Sequence, residues 1–187
     1  TRLGTNSRTD LGVFGRRAGK DMAAFCQTAD LLPLPTNAAD EVIAEFERIR
    51  HNQGGAKMFD VRNKMQTTMT EGVSVFRTKE TVGASIAELK KLRVAYQDVG
   101  VQDKGKVFNS ELLEAWELGC LLELAEVTAV SAQARQESRG GHARDRLPDR
   151  DDVNWLKHTL CHKVGEGEYM LDYKPVTLGR YEPKPRV

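Results

Sequence analysis

The stretch Asn109-Ser-Glu-Leu-Leu-Glu-Ala-Trp-Glu-Leu-Gly-Cys-Leu-Leu-Glu-Leu-Ala-Glu-Val127 decides the fold class of this chain. Leu112, Leu113, Trp116, Leu121, Leu124 and Val127 recur at helical spacing, and Asn109-Ser110 supplies a cap at the start. A long helix follows from that pattern. Working back toward the N-terminus, the same spacing recurs three times. Val42, Ile43, Phe46 and Ile49 share a face over Ala38–Arg50, and Gly54-Gly55 stops that helix. Met58, Val61, Met65 and Met69 predict a helix over about 56–76, and Val82, Ile86, Leu89 and Tyr96 another over about 79–98. The loop 99–107 separates it from the long helix. Helices joined by short loops make a three- or four-helix bundle over about residues 37–136. The methionine stripe reads first as core packing and only second as an adaptable groove.

Two other regions flank the bundle. Residues 1–36 open with Leu3-Gly4-Thr5-Asn6-Ser7, then show Val13, Phe14, Ala18, Met22 and Phe25 at helical spacing from near Thr9-Asp10 to Gln27. Gly12, Gly15 and Gly19 in that helix predict close packing against another element, because glycine is otherwise costly there. A linker with Pro33 and Pro35 follows. Residues 137–187 are rich in Arg, Asp, Gly and Pro. There, Leu156–Val164 and Tyr169–Val176 flank Gly165-Glu166-Gly167 and predict a hairpin.

Composition narrows the function classes. The chain has 187 residues, is 40% hydrophobic and 29% charged, and carries a formal net charge of +1. That balance gives no field to steer it toward nucleic acid or an anionic membrane. No apolar run approaches the roughly 18 residues a span needs, so direct membrane insertion is not expected. Opening at Thr1 without Met or an apolar leader, it reads as a partial chain. Cys26, Cys120 and Cys161 are odd in number and far apart, which argues against a disulfide framework or a zinc site. Small buried residues or idle thiols are the plainer reading.

Two clusters could carry chemistry. The turn Gly4–Ser7 leads into a helix start, whose free N–H groups and positive dipole end suit an anionic oxygen. Arg2 beside it can grip a carboxylate with two parallel bonds. A cap with a surface arginine is the plainer alternative. The second cluster is Arg135-Gln-Glu137-Ser-Arg139-Gly-Gly-His142-Ala-Arg144, followed by Pro148-Asp149-Arg150-Asp151-Asp152. Such alternating charge commonly makes an ion-pair network that pins a loop. His142 can exchange a proton near neutral pH, although a hydrogen-bonded structural role is commoner. No Ser-His-Asp arrangement, Walker loop, GxGxxG or metal-ligand spacing is present.

These motifs also carry a family resemblance. Arg2–Gly19 (RLGTNSRTDLGVFGRRAG) closely resembles the late flavin-contacting segment of succinate dehydrogenase and fumarate reductase flavoproteins. Asn52–Lys57 (NQGGAK), Met65–Met69 (MQTTM) and Val75–Thr78 (VFRT) are similar to the family's helical domain. Arg135–Thr159 is the most specific stretch, and Lys174–Val176 with Tyr181–Arg186 (YEPKPR) resembles its ending. The resemblance covers the whole chain in the family's order, including the end of an FAD-binding α/β domain. It implies hydride transfer between succinate or fumarate and covalently held FAD. It implies iron–sulfur and membrane-anchor partner subunits, a quinone, and a peripheral place on the bacterial cytoplasmic or mitochondrial matrix side of the membrane. By the same resemblance Arg2 binds a substrate carboxylate and Asn6, Ser7 and Arg8 contact the flavin; Arg139 and His142 are further candidates, for active-site support. The dinucleotide-binding motif, the flavin-linking histidine and the proton-donating arginine are expected upstream of Thr1, so the fragment alone is expected to be inactive. The chain departs from the family at Thr1, Arg8, Thr9, Arg146-Leu147 and His162. L-Aspartate oxidase shares an ESRG-type stretch and is a related alternative. A stand-alone helical interaction module that has lost the flavin is an alternative from another class.

Overall fold

The computed structural model describes residues 6–184, and for Asn6 and Ser7 only the backbone. Among these residues five helices carry about half of the chain, with two small sheets beside them. The chain divides into two compact units, residues 1–44 and 45–187.

In the first unit, α1 spans Asn6–Phe25. It begins three residues before the Thr9 expected from periodicity. Its end is closed by the amides of Thr28 and Ala29 on the Phe25 carbonyl, both at 3.0 Å. Among the described residues the expected close packing of its glycines is not found. A Cβ at Gly12, Gly15 or Gly19 would meet nothing within 4 Å, and Leu11, Phe14, Met22 and Phe25 are exposed. The linker then leads to α2 (Asp40–His51). Asp40 and Glu41 lie in its first turn and Arg48, Arg50 and His51 in its last, each sign at the dipole end that favours it. Val42 and Ile43 are exposed, so only the C-terminal part of the face expected for α2 is buried.

The second unit holds the core. Helices α3 (Met58–Gly72), α4 (Lys79–Tyr96) and α5 (Ser110–Ala134) pack pairwise, and the last turns of α2 add Ile49 and Phe46. Phe46 stacks on Trp116 at 5.5 Å between ring centroids. Val61 and Met65 of α3 are buried, with Met58 and Met69 packed against them, so the methionine stripe is core. Thr78 and Thr81 cap α4 reciprocally: each hydroxyl accepts from the other's amide, at 3.0 and 3.1 Å. Asn109 Oδ1 accepts from the Leu112 amide at 2.8 Å and caps α5.

The buried face of α5 differs from the sequence expectation. Leu112, Ala115, Leu118, Leu122, Ala125 and Ala129 face the core, whereas Leu113, Leu121 and Leu124 are exposed. Small side chains on the inner face let neighbouring helices approach closely. Gly119 shows how close: an added Cβ would sit 2.5–2.9 Å from the buried Tyr96 ring and hydroxyl. Gly119→Ala is therefore expected to cost about 1–3 kcal/mol, as overpacking of a filled site does. Urea denaturation of the variant checks it, and an unchanged midpoint would mean the helices can part at no cost.

The helix expected through Phe76 ends earlier, at Gly72. A Cβ there would lie 1.9 Å from Ser85 Oγ, so α4 closes on α3 at that point. Phe76–Arg77 instead forms β1, which pairs in parallel with β2 (Ala143–Arg144). The hairpin lies within a residue of its expected bounds: β3 is Lys157–Gly165 and β4 is Glu168–Pro175. Gly167 turns it with φ +68, a conformation that L side chains seldom adopt.

Candidate functional site

The charged segment after α5 folds around Glu137. Its side chain is fully buried and accepts from four donors. Arg139 reaches it through Nε at 2.8 Å and Nη2 at 3.0 Å, the Asp151 amide donates at 2.9 Å, and Arg135 Nη1 donates as well. Burial alone would raise the Glu137 pKa. The hydrogen bonds from Arg139, the Asp151 amide and Arg135 outweigh it, so the carboxyl titrates below the usual carboxylate range. Arg139 also grips Asp152 at 2.7 Å, and Arg135 donates to the Trp155 carbonyl at 3.1 Å. Glu137 thereby joins the end of α5, the 149–152 loop and the entry to β3.

Arg139 and His142 come together in one tight turn. Their backbones exchange two hydrogen bonds, at 2.8 and 3.0 Å, around Gly140 at φ +60. Arg77 Nη1 donates to His142 Nδ1, and His142 Nε2–H donates to the Arg135 carbonyl at 3.2 Å. Because a guanidinium only donates, the network assigns a neutral ring protonated on Nε2. Burial and then the charges of Arg77, Arg144 and Arg135 push the His142 pKa below its ordinary value, despite the Arg135 carbonyl. Both ring nitrogens are occupied, so His142 acts here as a bridge.

The other expected site residues belong to the N-terminal segment. Asn6, Ser7 and Arg8 form the first turn of α1, which contains no acidic residue, and Arg8 is exposed. Arg2 falls outside the described residues. Arg77 was missed as a partner of His142, because the two are 65 positions apart. A second junction was also missed: Glu126, 2% exposed on α5, accepts from Arg93 Nε at 3.0 Å and from the Tyr169 hydroxyl at 2.8 Å. A polar residue within an otherwise apolar helix face was the available signal. Cys26 and Cys120 are exposed and Cys161 half-buried, all free thiols, so the idle-thiol reading applies to the first two. Among the described residues no group of three His, Cys, Asp or Glu side chains gathers to hold a metal, and no helix is long and apolar enough to cross a membrane.

A helical bundle continued by an ion-paired loop and a hairpin is thus the domain in hand, a module built to carry a braced C-terminal segment. Comparison with known proteins gives its family. Residues 62–187 match the family model for the fumarate reductase flavoprotein C-terminus. The chain is 46% identical over 178 residues to the succinate dehydrogenase flavoprotein subunit of Rickettsia bellii, covering 95% of this chain and 30% of that protein. It is 37% identical over 193 residues to the fumarate reductase flavoprotein subunit of Mycobacterium tuberculosis, covering 100% of this chain and 33% of that one. An E. coli quinol fumarate reductase chain superposes with a TM-score of 0.88 at 36% identity, over 99% of this chain and 32% of that one. The chain belongs to the succinate dehydrogenase and fumarate reductase flavoprotein family and corresponds to its C-terminal portion.

Proposed function

We propose that this chain is the C-terminal part of a succinate dehydrogenase flavoprotein subunit, which oxidises succinate to fumarate and passes electrons to an iron–sulfur subunit and on to quinone. The observation that carries this reading is the 46% identity to the Rickettsia bellii dehydrogenase subunit over 95% of the chain. Fumarate reductase is the second reading, favoured by the fold match to the E. coli quinol fumarate reductase. In either case residues 1–36 close an FAD-binding domain, 37–136 form the helical domain, and 137–187 form the irregular C-terminal region with its hairpin. The subunit is peripheral, on the cytoplasmic face of a bacterial inner membrane or the matrix side of the mitochondrial one, and is held there by anchor subunits.

Covalently bound FAD would supply the hydride acceptor, or the hydride donor in the reverse direction. The start of α1 fits such a group: the first-turn amides of a helix have no partner within the helix, and the first turn of α1 has no acidic side chain to oppose an electron-rich ring. Arg2 holds a substrate carboxylate through parallel N–H bonds. Arg139 and His142 have a supporting role. They keep the loop after α5 in one shape, through Glu137 and Arg77.

The chain spans about a third of the length of its curated relatives. Alone it is expected to retain no FAD and to show no succinate–dye turnover. Absorbance near the flavin bands and a dye-reduction assay check this, and a yellow, active preparation would overturn it. With the full-length subunit in its complex, succinate oxidation with a dye acceptor measured against fumarate reduction with a viologen donor decides the direction. Activity on aspartate with oxygen instead would move the chain to L-aspartate oxidase.

A further inference from the structure

The two-residue sheet places like charges side by side. In the β1–β2 register Arg77 stands directly beside Arg144, an arrangement that is destabilising unless something offsets it. Among the described residues neither guanidinium meets a carboxylate. Arg144, only 7% exposed, donates from Nη1 to the carbonyls of Ala132, Gln133 and Arg135 at 3.1–3.3 Å. Arg77 donates to the Val73 carbonyl at 3.0–3.1 Å and to neutral His142. Both therefore cap helix C-termini, where each helix end offers only about half a negative charge. Burial, and after it the neighbouring Arg144 charge, hold the Arg77 pKa below its ordinary value.

The pair opens onto a cleft of about 310 Å³ that is also lined by Lys79, Arg146, Gln136 and the N-terminal turn of α4. Four cations thus face one carboxylate, the exposed Glu80. We propose that this cleft binds a compact multivalent oxyanion, either a phosphate group or a short polycarboxylate. Arg144 and Arg77 would form its floor, with Lys79 and Arg146 at the rim. The positive end of the 18-residue α4 adds to the same field. The floor arginines contribute charge, the guanidinium of Arg146 at the rim suits both candidate groups, and the volume admits a phosphate with a small organic remainder. The site does not depend on the flavoprotein reading.

The test is a titration of the full chain with sodium phosphate, and separately with citrate, at constant ionic strength, followed by ¹⁵N NMR. Saturable shifts are expected at the amides of residues 78–80 and 144–146 and at the arginine Nε groups of Arg77 and Arg144. Arg146→Glu, an exposed position, is expected to weaken binding at least about tenfold by reversing one rim charge. Lys64→Glu, exposed on α3 and outside the cleft, changes the net charge equally and is expected to leave binding unchanged. Tighter binding of phosphate than of citrate assigns the phosphate group, and the reverse order assigns the polycarboxylate. Shifts that fail to saturate with either probe, or an equal loss in both variants, would overturn the site.

Discussion

Glu137→Ala is expected to destabilise the second unit by about 3 kcal/mol, toward the lower end of what removing one partner from a buried ion pair costs. The carboxylate is fully buried and serves Arg135, Arg139 and the Asp151 amide at once. Its removal strands two guanidiniums and a peptide N–H. The cost stays near the lower end because Arg139 keeps Asp152 and Arg135 keeps the Trp155 carbonyl. Urea denaturation at neutral pH measures it, and a loss below about 1 kcal/mol would show the network to be redundant. The effect should depend on pH with a definite sign. The folded-state pKa of Glu137 is depressed, so its stabilisation is complete above the unfolded value of 4.5 and is lost as pH falls through the lower folded value. The gap between wild type and variant should therefore narrow in acid.

The second large effect is a non-additive pair. Arg93→Leu leaves Glu126 buried with the Tyr169 hydroxyl as its remaining partner, while Glu126 Oε1 already lacks any hydrogen bond among the described residues. A loss of about 3–5 kcal/mol is expected. The double replacement Arg93→Leu with Glu126→Leu removes both charges and should be less damaging than Arg93→Leu alone, because no uncompensated charge stays inside. A double-mutant cycle in urea reads the coupling, expected at about 2 kcal/mol. Additive losses would mean that the pair does not tie α4 and α5 together. Arg93 also holds Tyr169 on β4, at 2.7 Å, and Glu166 in the hairpin turn, so Arg93→Leu should loosen the hairpin first. Faster amide exchange in β3 and β4 than in α5 would show it.

Both junctions join residues far apart in sequence, and this separates what could be read from the chain from what could not. Periodicity and capping are local. Val61–Met65, Val82–Leu89, the Asn109 cap and the Gly165–Gly167 turn therefore announced α3, α4, α5 and the hairpin from a few residues each. The density of charge from Arg135 to Asp152 likewise announced a braced loop. The flavin and substrate roles proposed for Arg2, Asn6, Ser7 and Arg8 rest on family resemblance, since a helix start with a nearby arginine has a plainer reading by itself. Which face of α5 turns inward was decided only by tertiary packing. Leucines occur on several sides of that helix, so no periodicity distinguishes them, and the side bearing Ala115, Ala125 and Ala129 is inward because small residues allow close approach. The same holds for Arg77 with His142, for Arg77 beside Arg144, and for Arg93 with Glu126 and Tyr169. Local sequence sets where helices and turns begin and end, but a hydrogen bond between groups 33 to 76 positions apart exists only after the core has brought its helices together.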